Sequence, residues 1–87
     1  MGGGVTIAAA GNVLVPALLA LRAKGYRVTR LVGQPGPAEM WRAEKAGEAF
    51  IAEDTLTLLG LVALYEARGD GWPAADADID AFFAEFP

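Results

Sequence analysis

Residues 39–69 read EMWRAEKAGEAFIAEDTLTLLGLVALYEARG, and they carry two strand patterns and one helix pattern in direct succession. In Glu39–Lys45 the residue types alternate between two faces, as in a half-buried strand. Ala46 and Gly47 make a tight connection to Glu48–Glu53, so we expect the two segments to pair as a β-hairpin. The second strand has a continuous apolar centre, AFIA, which predicts that it lies inside the sheet.

A helix follows this hairpin with no intervening loop. Asp54 is a strong N-cap candidate, Thr55–Arg68 is rich in leucine, and Gly69 supplies a stop signal. The segment is apolar on almost every side, and a helix without a polar face must be covered on most sides. We therefore expect this helix to be buried centrally or to be covered by a second chain.

The residues before position 39 predict a helix, a strand and a loop. The leucine spacing predicts a helix over residues 13–24, with Asn12 as its N-cap and Gly25 just after its C-terminus. Tyr26–Val32 alternates in a way that is typical of a strand. Residues 33–37 are dense in glycine and proline, so we expect a loop there.

The C-terminal segment predicts a turn and a last helix. Residues 70–73 form the turn, which contains Trp72, and Asp76 or Asp78 caps the helix that follows. Four apolar residues of this helix recur at i, i+3, i+4 and i+7, which places them on one face: Ile79, Phe82, Phe83 and Phe86. The pattern indicates an amphipathic helix, which we expect to pack on the sheet with the other helices.

Together these patterns predict a single α+β domain over residues 1–87, with residues 1–4 as a flexible start. The expected element order is (β)-α-β-β-β-α-α. We expect a small antiparallel sheet of three strands with three helices packed on one face. A fourth strand is present if the apolar residues 5–10 form one.

Composition limits the chemistry that the chain can perform. It contains no histidine, cysteine or serine, and these residues supply most nucleophiles and proton transfers near neutral pH. We therefore expect that the chain is not an enzyme. Since no disulfide or thiolate metal site can form, we also expect a cytoplasmic domain. The apolar residues 5–21 are interrupted by Gly11, Asn12 and Pro16, and basic residues follow them, so we expect neither a membrane span nor a secretory signal.

No cofactor or metal is expected either. Asp76, Asp78 and Asp80 alternate as at the start of a calcium loop, but Ala81 stands where such a loop needs glycine and Pro87 where it needs glutamate. No phosphate-binding glycine motif leads into a helix. The basic residues match no nucleic-acid motif and the net charge is −4, so nucleic acid is not an expected partner.

Charge is distributed unevenly along the chain. Residues 1–38 carry four basic side chains and no acid, whereas residues 69–87 carry five acids and no base. Either the basic and acidic segments face each other or water in the fold, or one pole steers a partner of opposite charge. Small acidic bacterial proteins that neutralise a toxin or inhibit another macromolecule share this profile of one domain with polarised charge.

These observations predict a protein-binding module that acts by occluding another protein. The expected interface consists of acidic residues and one aromatic anchor: Glu48, Glu53, Asp54, Trp72, Asp76, Asp78 and Asp80. The alternative is a homodimeric structural or regulatory protein whose apolar helix, Thr55–Arg68, forms the dimer interface. Trp41 and Trp72 are each either core residues or exposed anchors.

Overall fold

The computed structural model describes residues 4–9, 11–31 and 40–87. In chain order its elements are α1 (Leu14–Ala23), β1 (Arg27–Leu31), β2 (Met40–Lys45), β3 (Glu48–Ala52), α2 (Thr55–Arg68), a short 3-10 helix (Gly69–Gly71) and α3 (Asp76–Glu85). This order confirms the predicted α+β fold with a three-stranded antiparallel sheet. Residues 4–9 form no strand, and the predictions made for residues 1–3, 10 and 32–39 fall outside the described residues.

The sheet is antiparallel, with the strand order β1-β2-β3. The pairing places Val28 opposite Ala43 and Ala43 opposite Phe50. The prediction that β3 lies inside the sheet is wrong, because β2 is the central strand and β3 forms an edge of the described sheet. The apolar run of β3 is buried on one face only: Phe50 and Ala52 are buried, whereas Ile51 is 48% exposed.

Two of the three helices cover one face of the sheet. α1 packs against β1, and α2 packs against α1, β2 and β3. Large, fully buried side chains lie between these elements: Leu21, Leu58 and Val62. α3 differs from the expected arrangement, because all of its residues are exposed and no described part of the chain covers its apolar stripe.

α2 is covered less than its composition predicts. Thr55, Leu58 and Val62 are buried, but Leu56 and Leu64 remain largely exposed. The expectation of central burial is therefore wrong, whereas cover of this helix by a second chain stays a prediction. A three-stranded sheet and one neighbouring helix bury one face of α2 and leave the rest accessible.

A hydrogen bond and a ring cluster fix α2 on its neighbours. Thr55 Oγ1 donates to the backbone oxygen of Leu14 at 2.6 Å, which ties the start of α2 to the start of α1. Near the other end of α2, the ring of Phe50 contacts Tyr26 and Tyr65 edge to face, with centroid distances of 5.9 and 5.5 Å. Such pairs stabilise beyond the burial of their area. α2 is thus held near both of its ends.

The start of α1 differs from the prediction because of Pro16. Val13, not Asn12, is the N-cap residue, and the first intrahelical hydrogen bond runs from Ala17 N to Val13 O at 3.1 Å. With Asn12 as the cap, this first bond would require a backbone N–H on Pro16, which proline lacks. The predicted glycine after α1 is confirmed, since Gly25 has a φ of +93°.

The ends of α2 were predicted correctly, whereas the cap of α3 was not. Asp54 is the N-cap of α2, and Gly69, with a φ of +63°, is its C-cap. Ala75 is the N-cap of α3, so the prediction of Asp76 or Asp78 as the cap residue is wrong. Asp78 instead reaches back from the third helical position, where its carboxylate accepts a hydrogen bond from Ala75 N at 3.1 Å.

The predicted tight turn between β2 and β3 is confirmed and has an unusual backbone. Ala46 and Gly47 have φ values of +52° and +83°. Positive φ at both central residues is the signature of a type I′ turn, whose twist matches that of the paired strands. Glycine adopts this conformation freely, whereas alanine does so at a cost of about 1 kcal/mol.

Replacing Ala46 by asparagine should therefore stabilise the protein. We expect Ala46→Asn to raise the free energy of unfolding by about 0.5 to 1 kcal/mol, because asparagine tolerates the left-handed region better than alanine. Urea unfolding followed by circular dichroism measures the change. The matched variant Gly47→Ala should lower the free energy of unfolding by about 1 kcal/mol, since an added Cβ there meets no atom within 4 Å and only backbone strain acts. If the wild-type protein and both variants had the same free energy of unfolding, the type I′ turn would be contradicted.

Candidate functional site

An open groove runs between the edge strand β3 and α2, and we call it the β3–α2 groove; its larger part is mainly apolar. It has two chambers of about 370 and 520 Å³, which share Ile51, Leu61 and Trp72. The smaller chamber is completed by Glu48, Ala49, Phe50 and Tyr65. The larger one is completed by Met40, Ala52, Glu53, Thr57, Gly60 and Leu64.

The chain forms this groove because α2 follows β3 almost directly. Only Glu53 and Asp54 separate the two elements, so α2 starts beside the end of the edge strand. After α2, the 3-10 helix Gly69–Gly71 turns the chain, and Trp72 N donates to Gly69 O at 3.1 Å. This turn brings the indole of Trp72 to both chambers.

The two tryptophans differ in their surroundings. Trp72 is 39% exposed, so its ring lines the groove and remains accessible. Trp41 is half-buried on β2, and the guanidinium of Arg30 lies 6.0 Å from its ring centroid. Trp72 is therefore the more accessible of the two, whereas Trp41 packs against the hydrophobic core.

The outer edge of β3 presents main-chain hydrogen-bonding groups. β3 pairs only with β2 among the described residues. In a hairpin with a two-residue turn, the pair next to the turn, Lys45 and Glu48, is hydrogen-bonded, and the pairs alternate from there. The N–H and C=O groups of Ala49 and Ile51 therefore point away from β2. Both residues line the smaller chamber, so these polar groups lie beside the groove.

An acidic side chain lines each chamber of the groove. Glu48 lines the smaller one and Glu53 the larger one, and both are exposed. The carboxylate of Glu48 raises the pKa of the Tyr65 hydroxyl above its ordinary value of 10.0, first by hydrogen bonding and then through its negative charge. Tyr65 is therefore protonated near neutral pH.

The structure brings three of the predicted interface residues together and separates the others. Glu48, Glu53 and Trp72 line the groove. Asp54 caps α2 and lines a different pocket of about 200 Å³ beside α1. The three remaining acids are exposed on α3 and line neither the groove nor that pocket: Asp76, Asp78 and Asp80.

Sequence reasoning missed the apolar lining of the groove. Ile51 was assigned to a strand inside the sheet, and Leu61 and Leu64 were treated only as members of an apolar helix. The surplus of leucine on α2 was a usable signal, because a chain of this size cannot cover every side of such a helix. The edge position of β3, which makes the groove, has no local signal in the sequence.

Three further findings concern metal ions, membranes and similarity to other proteins. Among the described residues, no group of three or more metal-ligating side chains is placed to hold an ion. None of the helices in those parts of the chain is long and apolar enough to cross a membrane. No protein family model matches the chain, and no curated protein or solved structure shows significant similarity to it.

The cap at Asp54 should make stability depend on pH in acid. The carboxylate accepts a hydrogen bond from Thr57 N at 2.6 Å, and this bond lowers the pKa of Asp54. A carboxyl with a lowered pKa stabilises the fold above its unfolded pKa, near 3.8, and loses this contribution as pH falls through the lowered folded value.

Asp54→Asn tests this effect, because asparagine retains a capping oxygen but does not titrate. Thermal unfolding followed by circular dichroism should give a higher Tm for the wild-type protein than for the variant, and this margin should not change with pH near neutrality. The margin should shrink as pH falls below about 4. A margin that stays constant down to about pH 2 would show that the Asp54 charge does not stabilise the cap.

Proposed function

We propose that this chain is a non-enzymatic protein-binding module that holds an extended segment of a partner protein in the β3–α2 groove. The observation that carries the proposal is the unpaired edge of β3 beside an apolar groove. The main-chain groups of Ala49 and Ile51 pair with the partner segment, and the groove takes its alternate side chains. This mode of recognition requires no catalytic residue.

The two edge strands of the described sheet differ in how strongly they oppose pairing, and the difference supports β3. β1 carries Arg27 and Arg30, and charged side chains on an edge discourage the addition of a strand. β3 has one charged residue, Glu48, followed only by apolar residues. β3 is therefore the edge that is open to another chain.

Trp72 is the anchor of the proposed interface. Tryptophan is enriched among the few residues that dominate binding energy, particularly where apolar neighbours exclude water. Its ring lines both chambers, so a segment in either one contacts it. Ile51 and Leu64, 48% and 43% exposed, add apolar area that binding would bury, at about 25 cal/mol for each Å².

The charge of the groove indicates the chemistry of the partner. Glu48 and Glu53 are exposed beside its apolar lining, so a segment with apolar residues flanked by lysine or arginine complements it. Such complementarity mainly raises the association rate and the specificity. A protein that needs this segment for its own activity is inhibited by its occlusion, which is the immunity-type role of a small acidic bacterial protein in the cytoplasm.

A homodimer formed through α2 is the alternative proposal. Leu56 and Leu64 on this helix are 46% and 43% exposed, and burying them against a second copy would stabilise a dimer. Leu64 also lines the groove. The two proposals therefore compete for part of one surface, and substitutions can distinguish them.

Selection from a displayed library of random peptides tests the groove. We expect enrichment of peptides with alternating apolar residues and flanking lysine or arginine. Trp72→Ala and Ile51→Lys should each raise the Kd of an enriched peptide by about tenfold or more, as measured by isothermal titration calorimetry. Leu56→Lys is the matched control, because Leu56 is about as exposed as Ile51 and does not line the groove.

Two results would count against the groove. If Trp72→Ala and Ile51→Lys fold normally and bind the peptide with unchanged Kd, the groove is not the binding site. If Leu56→Lys weakens binding as much as they do, binding extends over the outer side of α2, and the groove alone does not account for it.

A further inference from the structure

The α3 stripe and the outer face of α1 are a second pair of uncovered surfaces, separate from the groove. The stripe consists of four residues that are between 43% and 62% exposed: Ile79, Phe82, Phe83 and Phe86. The outer face of α1 contains Val15 and Leu19, which are 51% and 57% exposed. An amphipathic helix with an exposed apolar face is incomplete without a covering surface.

The outer face of α1 combines apolar residues with a positive charge. Val15, Leu19 and Arg22 follow one another at i, i+4 and i+7, so they lie on one side of the helix. Ala17 and Leu21, which face the core, lie on the opposite side. The surface is therefore apolar toward the N-terminus of α1 and positive toward its C-terminus.

The α3 stripe has the complementary order. Asp76, Ile79 and Phe83 follow one another at i, i+3 and i+7, with the acid at the N-terminal end. Asp78 flanks the stripe on its other side within the first turn. α3 is thus negative toward its N-terminus and apolar toward its C-terminus, which is the reverse of α1.

We propose that α3 of one chain packs antiparallel on α1 of a second copy, so that two chains form a symmetric dimer with two equivalent contacts. The antiparallel arrangement brings together three residue pairs at matched spacings: Arg22 with the partner's Asp76, Leu19 with the partner's Ile79, and Val15 with the partner's Phe83. The two helix dipoles then point in opposite directions, which is electrostatically favourable.

Charge selects α1 over the other apolar surfaces as the site for α3. α3 carries four acids and no base, so two α3 helices repel each other. The β3–α2 groove is acidic because of Glu48 and Glu53. Arg22 and Asp76 have no ion pair among the described residues, whereas Lys24 is already paired with Glu66 at 3.0 Å. The dimer gives Arg22 and Asp76 partners.

Apolar side chains on both surfaces supply area for such a contact. Six of them are at least 43% exposed: Val15, Leu19, Ile79, Phe82, Phe83 and Phe86. Burying apolar area on association is favourable, at about 25 cal/mol for each Å².

Cysteine cross-linking tests the pairing directly, because the native chain has no cysteine. Chains carrying Leu19→Cys are mixed with chains carrying Ile79→Cys under mild oxidation and separated on a non-reducing gel. We expect a disulfide-linked dimer in the mixture and little of it in either variant alone. A dimer of the Ile79→Cys chain alone would show α3 pairing with α3, and monomers in all samples would show no contact. Either result would overturn the proposal.

Charge reversal provides an independent test in analytical ultracentrifugation. Arg22→Asp should weaken dimerisation by about tenfold or more, because it places like charges together at both contacts. Adding Asp76→Arg should restore the dimer, while Arg27→Asp, an exposed reversal on β1, should leave dimerisation unchanged. A monomeric wild-type protein, or no restoration by the double variant, would overturn the proposal. The dimer uses neither β3 nor the groove, so its failure leaves the proposed function standing.

Discussion

The two-residue turn at Ala46 and Gly47 sets the register of the β2–β3 hairpin, and both the core and the groove depend on that register. Side chains alternate along a strand, so a slip by one residue would turn Phe50 and Ala52 outward and Ile51 inward. In the observed register Phe50 joins the ring cluster beneath α2, and Ile51 lines the groove. One local turn thus separates the residues that hold the fold from those that are open to a partner.

α2 contributes side chains to both the hydrophobic core and the β3–α2 groove. Leu58 and Val62 are fully buried against the sheet and α1, while Leu61 and Leu64 form a wall of the groove. A small chain can bury only part of such a helix. The apolar residues that remain exposed on α2, and the uncovered stripe of α3, are the physical basis of our proposal that the chain works through contact with other chains.

Local signals in the sequence predicted local structure well. The bounds of α2 were predicted to the residue, because Asp54 caps its start and Gly69 ends it in a positive-φ conformation. The turn at Gly47 was also predicted correctly from its local sequence. The prediction for the start of α1 was wrong for an equally local reason, since the missing N–H of Pro16 rules out Asn12 as the cap.

Features that depend on neighbours in space could not be predicted in this way. An apolar run such as that of β3 does not show whether another strand lies beside it, so its edge position was missed. The stripe of α3 predicted a packed helix, but no described part of the chain covers it. Of the groove, the polar and aromatic residues Glu48, Glu53 and Trp72 were identified from the sequence, whereas its apolar wall was not.

Amide hydrogen exchange along β3, with and without a bound peptide, tests most directly whether this edge receives a partner strand. In the free protein the amide protons of Ala49 and Ile51 should exchange quickly, because they point away from β2, and that of Phe50 should exchange slowly. Binding should slow exchange at Ala49 and Ile51 by about tenfold or more and change Phe50 much less. Fast exchange at both residues in the complex would contradict strand addition at β3.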